Sequence, residues 1–255
     1  MHNSLKEEDF INEALKIVGE AEKRGIVLRV IGAVALRIKL PNDVRILHEK
    51  ILNRKLSDID YASYSKYTVE VRNLFKELNY VWDEAIARIA LLRDIFYNKI
   101  NNIHSDVFYD KLMFCHDIDL RGRLELDYPT ITLTDYALEK LQIVQINEKD
   151  VKDLIALFIG FPVENSDKDA INKEYISKVL SKDWGFYYTV TSNLKKLTQL
   201  LGRYKLPKDK EDMIKSKVSN LLEAIEKEPK SIGWKMRAKI GTKKKWYREV
   251  EEVIR

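Results

Sequence analysis

"KLSDIDYASY", residues 55–64, sets two carboxylates, Asp58 and Asp60, around a single isoleucine in a segment that reads as a β-strand over 56–62. Successive strand side chains alternate between faces, so the two acids point the same way. Two acids that close repel, and each raises the other's pKa unless a positive charge lies between them. A strand edge with two solvated acids satisfies this pattern. So does a divalent cation. Hard oxygen ligands suit Mg²⁺, which takes one or two protein carboxylates and completes its shell with water and phosphate oxygens.

The surroundings of the pair sharpen the choice. "IVLRVIG" at 26–32 is β-branched, is bounded by glycines and reads as a strand, and "AVALRIKL" after it reads as a short helix stopped by Pro41. A helix N-terminus at Gly32-Ala33 offers backbone N–H groups to a phosphate, and the small residues allow close approach. Asp106 lies in "IHSDVFYD", a second apolar strand context where a buried acid needs a reason. A third carboxylate on a neighbouring strand is what two-metal phosphoryl transfer requires. A strand-end acid near Lys111 is the plainer reading of Asp106.

Gly32-Ala33-x-Ala35-Leu36 followed by Arg54-x-x-Ser57-Asp58-Ile59-Asp60 resembles the opening of nucleotidyltransferases of the DNA polymerase β superfamily, and is most similar to the AbiEii-like branch that includes toxins of toxin–antitoxin systems. That branch carries a downstream helical lysine and an "RDxxD" element, matched here by Lys140 in "DYALEKLQ" and by Lys149-Asp150-Val151-Lys152-Asp153. The resemblance spans roughly residues 26–160. It implies that Asp58 and Asp60 ligate Mg²⁺ and that Lys140 contacts a triphosphate oxygen. It also implies that Asp150 completes the acidic site, and that Gly32, Ala33, Arg54 and Ser57 line the nucleotide. Asp106 is the candidate third metal ligand, which makes two ions. Three positions depart from the pattern: Ala33 replaces the usual serine or glycine, the spacer before Asp58 is longer, and Lys149 replaces arginine. Plainer roles exist for the helical residues. Lys140 and Asp150 fit a solvated face, Asp153 fits a surface partner for Lys149 or Lys152, and Arg54 fits a neutralising role beside the acids.

The remaining chain reads as a mixed α/β (α+β) half, 1–133, followed by a helical half, 134–255. A helix is predicted over 5–24, a polar connection over 42–55, and a helix over 66–80. Strands are predicted at 85–98 and 101–110, with another strand or strand pair at 120–133. Thr134 or Asp135 is expected to cap the first helix of the second half. The longest uncharged apolar run, "LIALFIGFPV" at 154–163, is too short to span a bilayer. The opening "MHNSLKEEDF" has no leader pattern, and the single cysteine, Cys115, excludes an internal disulfide. A reducing cytoplasm is the expected setting. Cys115 is expected to be a small buried hydrophobe, and His104 and His116 to be packed or hydrogen-bonded rather than metal-bound.

Charge is unevenly spread. Lys230–Arg248 holds eight cations and no acid, which against a formal total of +5 leaves −3 on the rest. Lys235, Arg237, Lys243, Lys244 and Lys245 interleave with Trp234, Trp246 and Tyr247, a pattern that suits RNA: cations neutralise phosphates and rings stack on unpaired bases. A solvated helix whose tryptophans pack inward fits the same residues. The function these observations imply is Mg²⁺-dependent transfer of a nucleoside monophosphate from an NTP to an acceptor hydroxyl, with RNA or a tRNA end favoured over protein or a small molecule. The alternative is an inactive relative that binds RNA or a protein, and a cognate antitoxin is an implied partner.

Overall fold

The computed structural model describes residues 5–84 and 92–250, and the chain divides into two compact units. The first comprises Met1–Leu40, Lys55–Leu112 and Asp119–Thr132; the second comprises Pro41–Arg54, Met113–Ile118 and Leu133–Arg255.

Helix α1 (Glu7–Lys23) opens with three acids in its first turn, which complement the positive end of the helix dipole. Phe10, Ala14, Ile17, Val18 and Ala21 recur at three- and four-residue steps and form its buried face. Gly25, at φ +69°, accepts the left-handed conformation that ends it. Strand β1 (Leu28–Ile31) runs directly into α2 (Gly32–Lys39). The chain then contributes α3 (Asn42–Ile46) and a π-helical turn (Leu47–Ile51) to the second unit. The predicted polar connection at 42–55 is therefore helical. Val44, His48 and Leu52 are buried at four-residue intervals, an apolar stripe that the surrounding charged residues conceal in the sequence.

Back in the first unit come β2 (Ile59–Ser63), α4 (Thr68–Glu77), β3 (Tyr80–Trp82), β4 (Arg93–Asn98) and β5 (His104–Tyr109). The strands form one mixed sheet in the order β1-β2-β5-β4-β3, in which β2 and β5 are parallel and every other pair is antiparallel. One face of the sheet packs against α1, α2 and α4. Phe75 lies at the centre of this core, stacked on Phe96 at 4.3 Å and edge-on to Tyr61 and Tyr80 at 5.6 and 5.1 Å. The same face carries a buried carboxylate, Asp94, saturated by a bidentate Arg72 (2.8 and 2.9 Å), the Trp82 indole N–H (2.8 Å) and the Tyr109 hydroxyl (2.9 Å).

Four expectations in this unit change. Asp58 lies before β2 rather than within it. The strand predicted at 85–98 begins at Arg93, its 85–91 part lying outside the described residues, and Tyr80 starts a strand rather than ending a helix. Residues 120–132 form turns rather than a strand pair; they meet β1 where Val30 N–H donates to Pro129 O (3.0 Å), Ile131 N–H to Val30 O (3.1 Å) and Arg29 Nε to Asp127 O (2.7 Å). Gly122 (φ +71°) turns the backbone, and Pro129 has no N–H for a ladder.

A short hairpin, β6 (Lys111–Met113) and β7 (Asp117–Asp119), marks where the chain passes to the second unit and back. That unit is built from α5 (Leu133–Leu141), α6 (Glu148–Gly160), α7 (Lys173–Leu180), α8 (Trp184–Leu200), α9 (Lys208–Lys227) and α10 (Ile232–Ile240), with a two-residue strand pair, β8 (Val163–Glu164) and β9 (Ile171–Asn172). Thr134 and Asp135 sit buried inside the first turn of α5 instead of capping it, and Thr134 Oγ1 accepts from Asn172 N at 2.9 Å. Among the described residues no helix is long and apolar enough to cross a membrane.

Truncating Phe75 removes the ring that three aromatic neighbours share. Phe75→Ala is expected to cost the first unit about 3–5 kcal/mol. Val69→Ser, on the exposed face of the same helix, should stay within about 0.5 kcal/mol of wild type. Denaturant unfolding of both variants checks this.

Candidate functional site

The sequence-predicted residues fall into two groups. Gly32, Ala33, Ser57, Asp58, Asp60 and Asp106 belong to the first unit, whereas Arg54, Lys140 and Asp150 belong to the second.

In the first unit, Ile59 and Tyr61 point into the core, which turns Asp60 to the opposite face of the sheet. Parallel register pairs Asp60 with Asp106 on β5, and Tyr61 with the core residue Val107, so the two aspartates share that face. Asp60 is also the antiparallel partner of Ile31, the last residue of β1. Gly32 follows at φ +68°, and a Cβ placed on it would lie 3.1 Å from Asp60 Oδ2. A side chain there would meet both a disfavoured backbone and the carboxylate. Helix α2 starts here without a side-chain cap, because its N-cap residue is Ile31. Its positive end is therefore beside an acid.

Asp106 is buried and accepts from Arg93 Nη2 at 2.5 Å, and the Arg93 guanidinium also lies over the Phe108 ring at 5.0 Å. Sequence reasoning missed Arg93. The turn between β4 and β5 held the signal, since antiparallel pairing through Lys99–Asn102 puts Ile95 opposite Asp106 and Arg93 one step along on the same face. Ser57 Oγ donates to Asp58 Oδ1 at 3.1 Å. Among the described residues, no three His, Cys, Asp or Glu side chains converge as a metal-holding group. Arg93 supplies positive charge at Asp106. The donors present, hard carboxylates on paired strands beside a glycine with no side chain, fit a single Mg²⁺, which needs only one or two of them.

The second unit holds a buried polar cluster around Asp153, which is fully buried rather than a surface partner. Its Oδ1 accepts from Arg54 Nε at 2.9 Å and lies 2.9 Å from His48 Nε2, and Lys140 Nζ lies 3.1 Å from Oδ2. Lys140 also reaches Asp150 Oδ1 at 3.3 Å and lies 5.7 Å from the centre of the Tyr136 ring. Burial alone would raise the Asp153 carboxyl, but Lys140, His48 and Arg54 together hold it well below the usual range. For Lys140 burial favours the neutral amine, and Tyr136, Asp153 and Asp150 outweigh it, so the ammonium persists. Lys140 and Asp150 are consequently not a solvated helix face. Asp150 also caps its own helix, α6, by the reciprocal contact of its side chain and backbone with Asn147. His48 was not foreseen, because its only sequence signal is its place in the buried stripe of 44, 48 and 52.

The C-terminal segment spends its aromatics internally. Trp246 Nε1 donates to Thr189 Oγ1 at 3.1 Å, its ring stands edge-on to Tyr188 at 5.0 Å, and its carbonyl would lie 2.5 Å from a Cβ on Gly185. Arg237 stacks over Trp184 and donates to the carbonyls of Gly241 and Lys244, and Trp234 meets Tyr187 edge-on. Trp246 and Arg237 are thereby committed to packing on α8, and Lys245 pairs with Glu249. Lys235, Lys243 and Lys244 remain exposed. Cys115 is half-exposed rather than buried. His116 Nε2 lies 2.9 Å from Thr189 Oγ1, and its ring stacks on Phe186 at 5.0 Å.

No family model and no curated protein matches this chain. The site must be read from its own geometry.

Two measurements test this geometry. Gly32→Ala is expected to cost about 1–2 kcal/mol through its left-handed backbone alone, seen as a lower denaturation midpoint. Burial, with a smaller contribution from Arg248, pushes the His116 imidazole down to about 4 despite Asp183 and Asp117. The folded state therefore prefers the neutral ring. Its contribution is complete above the unfolded pKa of about 6.5 and is lost as pH falls through about 4, which removes about 1–3 kcal/mol. His116→Gln should flatten the stability–pH curve between those values.

Proposed function

We propose that the first unit is a nucleotidyltransferase-type catalytic unit that moves a nucleoside monophosphate from an NTP to an acceptor hydroxyl and releases pyrophosphate. The observation that carries this reading is the register pairing of Asp60 with Asp106, beside a strand-to-helix turn at Gly32 that has no side chain. Asp58 and Asp60 would hold a Mg²⁺ ion, which when bound supplies charge neutralisation at the triphosphate. Gly32 and Ala33 leave room for phosphate oxygens against the first turn of α2, whose N–H groups favour an anion. Arg93 holds the Asp106 carboxylate in place, and Asp106 orients the acceptor side of the site in this reading. An RNA acceptor is supported by the exposed second-unit cations Lys196, Arg203 and Lys205, and an antitoxin partner by the sequence resemblance alone.

Incubating the protein with each α-labelled NTP, Mg²⁺ and total RNA tests the proposal. Label should enter RNA or the protein itself, and Asp60→Asn should reduce transfer at least about 100-fold. The Asp58→Asn/Asp60→Asn protein should keep the wild-type circular dichroism spectrum. Transfer that survives the double substitution refutes the assignment.

A further inference from the structure

Between the π-helical turn, the start of α6 and the end of α8, the second unit has a cleft of about 610 Å³, within the range of about 300–1,000 Å³ typical of ligand sites. Its floor is apolar, made by Leu52, Ile146, Val151 and Leu200. Its rim carries Lys152, Lys196, Arg203 and Lys205, against one acid, Glu148. Glu148 is committed to Lys152 at 2.7 Å. Lys196, Arg203 and Lys205 are exposed and form no ion pair among the described residues. They belong to a stretch, 189–208, with five cations and no acid. Some surface cations are neutralised by partners, as in the i,i+4 pairs of Lys178 with Glu174 and Lys227 with Glu223. Three unpartnered cations around one concavity therefore concentrate positive potential there.

Tyr204 completes the cleft as a half-buried ring between two of these cations. Lys196 and Arg203 lie seven residues apart, so continued helical turning brings them to one side, and Lys205 (φ +48°) turns back beyond the ring.

We infer that this cleft binds single-stranded RNA, with Lys196, Arg203 and Lys205 on successive phosphates and Tyr204 stacking on a base. The charge complementarity would serve any phosphate. The apolar floor and the ring are useful only to a ligand whose bases are unpaired. A duplex buries its bases, and free phosphate has none. The C-terminal segment, which has more cations, is less suited because Trp234 and Trp246 are packed inward. This inference stands apart from the catalytic reading, so the Asp60 experiment and the one below can fail separately.

The test is fluorescence anisotropy of the full chain with 5′-labelled (U)12 RNA between 50 and 300 mM KCl, beside a 12-bp duplex and unlabelled inorganic phosphate as competitor. Removing three contacts in Lys196→Gln/Arg203→Gln/Lys205→Gln should lower the slope of log affinity against log salt by about 2. Tyr204→Ala should weaken binding about 5- to 100-fold at fixed salt without changing the slope, and Tyr204→Phe should restore it. Lys243→Gln/Lys244→Gln/Lys245→Gln should change neither. Any of four results overturns the inference: no RNA binding at 50 mM KCl, an unchanged slope in the cleft variant, duplex binding as tight as single-strand binding, or a slope lost instead in the C-terminal variant.

Discussion

The parallel pairing of β2 with β5 is the constraint on which the first unit depends. Every other pair in its sheet is antiparallel, so this single junction decides which residues of two distant segments meet. It aligns Tyr61 with Val107 on the core face and Asp60 with Asp106 on the other. Because side chains alternate strictly, a slip of one residue would bury an aspartate in the aromatic core and expose an aromatic in its place. The packing around Phe75 excludes that slip, and so the hydrophobic core enforces the meeting of the two acids.

Buried charge is handled in the same way in both units: a buried carboxylate in each, Asp94 and Asp153, is surrounded by fixed donors. Asp94 is held by Arg72, Trp82 and Tyr109, and Asp153 by Arg54, His48 and Lys140. Removing ions from water costs several kcal/mol each, and only such multiple contacts offset it. These clusters define local geometry more than they add stability. In the second unit the cluster joins the π-helical turn to α5 and α6, which explains why residues 41–54 belong to that unit.

The basic C-terminal segment shows how composition and structure diverge. Its cations and tryptophans resemble a nucleic-acid arm. In the structure the rings anchor the segment to α8, and Arg237 satisfies carbonyls of its own backbone. Three further exposed cations, Lys196, Arg203 and Lys205, border a cleft between α6 and α8, spread through a stretch that no aromatic run accompanies.

Much of the architecture was determined by the sequence itself. The apolar spacing in α1 and α4, the glycine at 25, the β-branched run at 26–32, and the Asp-Ile-Asp alternation are local signals, and local sterics and hydrophobic periodicity are enough to read them. The strand-to-helix turn at Gly32 was also legible. Other features came only with tertiary contact. Residues 120–133 alternate like a strand, yet their turns and Pro129 leave only a single bridge to β1. Arg93 at Asp106, and His48 and Arg54 at Asp153, involve pairs separated by up to 105 residues. No periodicity connects such residues, because a charge is paired by whichever group the packed backbone delivers to it, and that delivery depends on the whole chain folding.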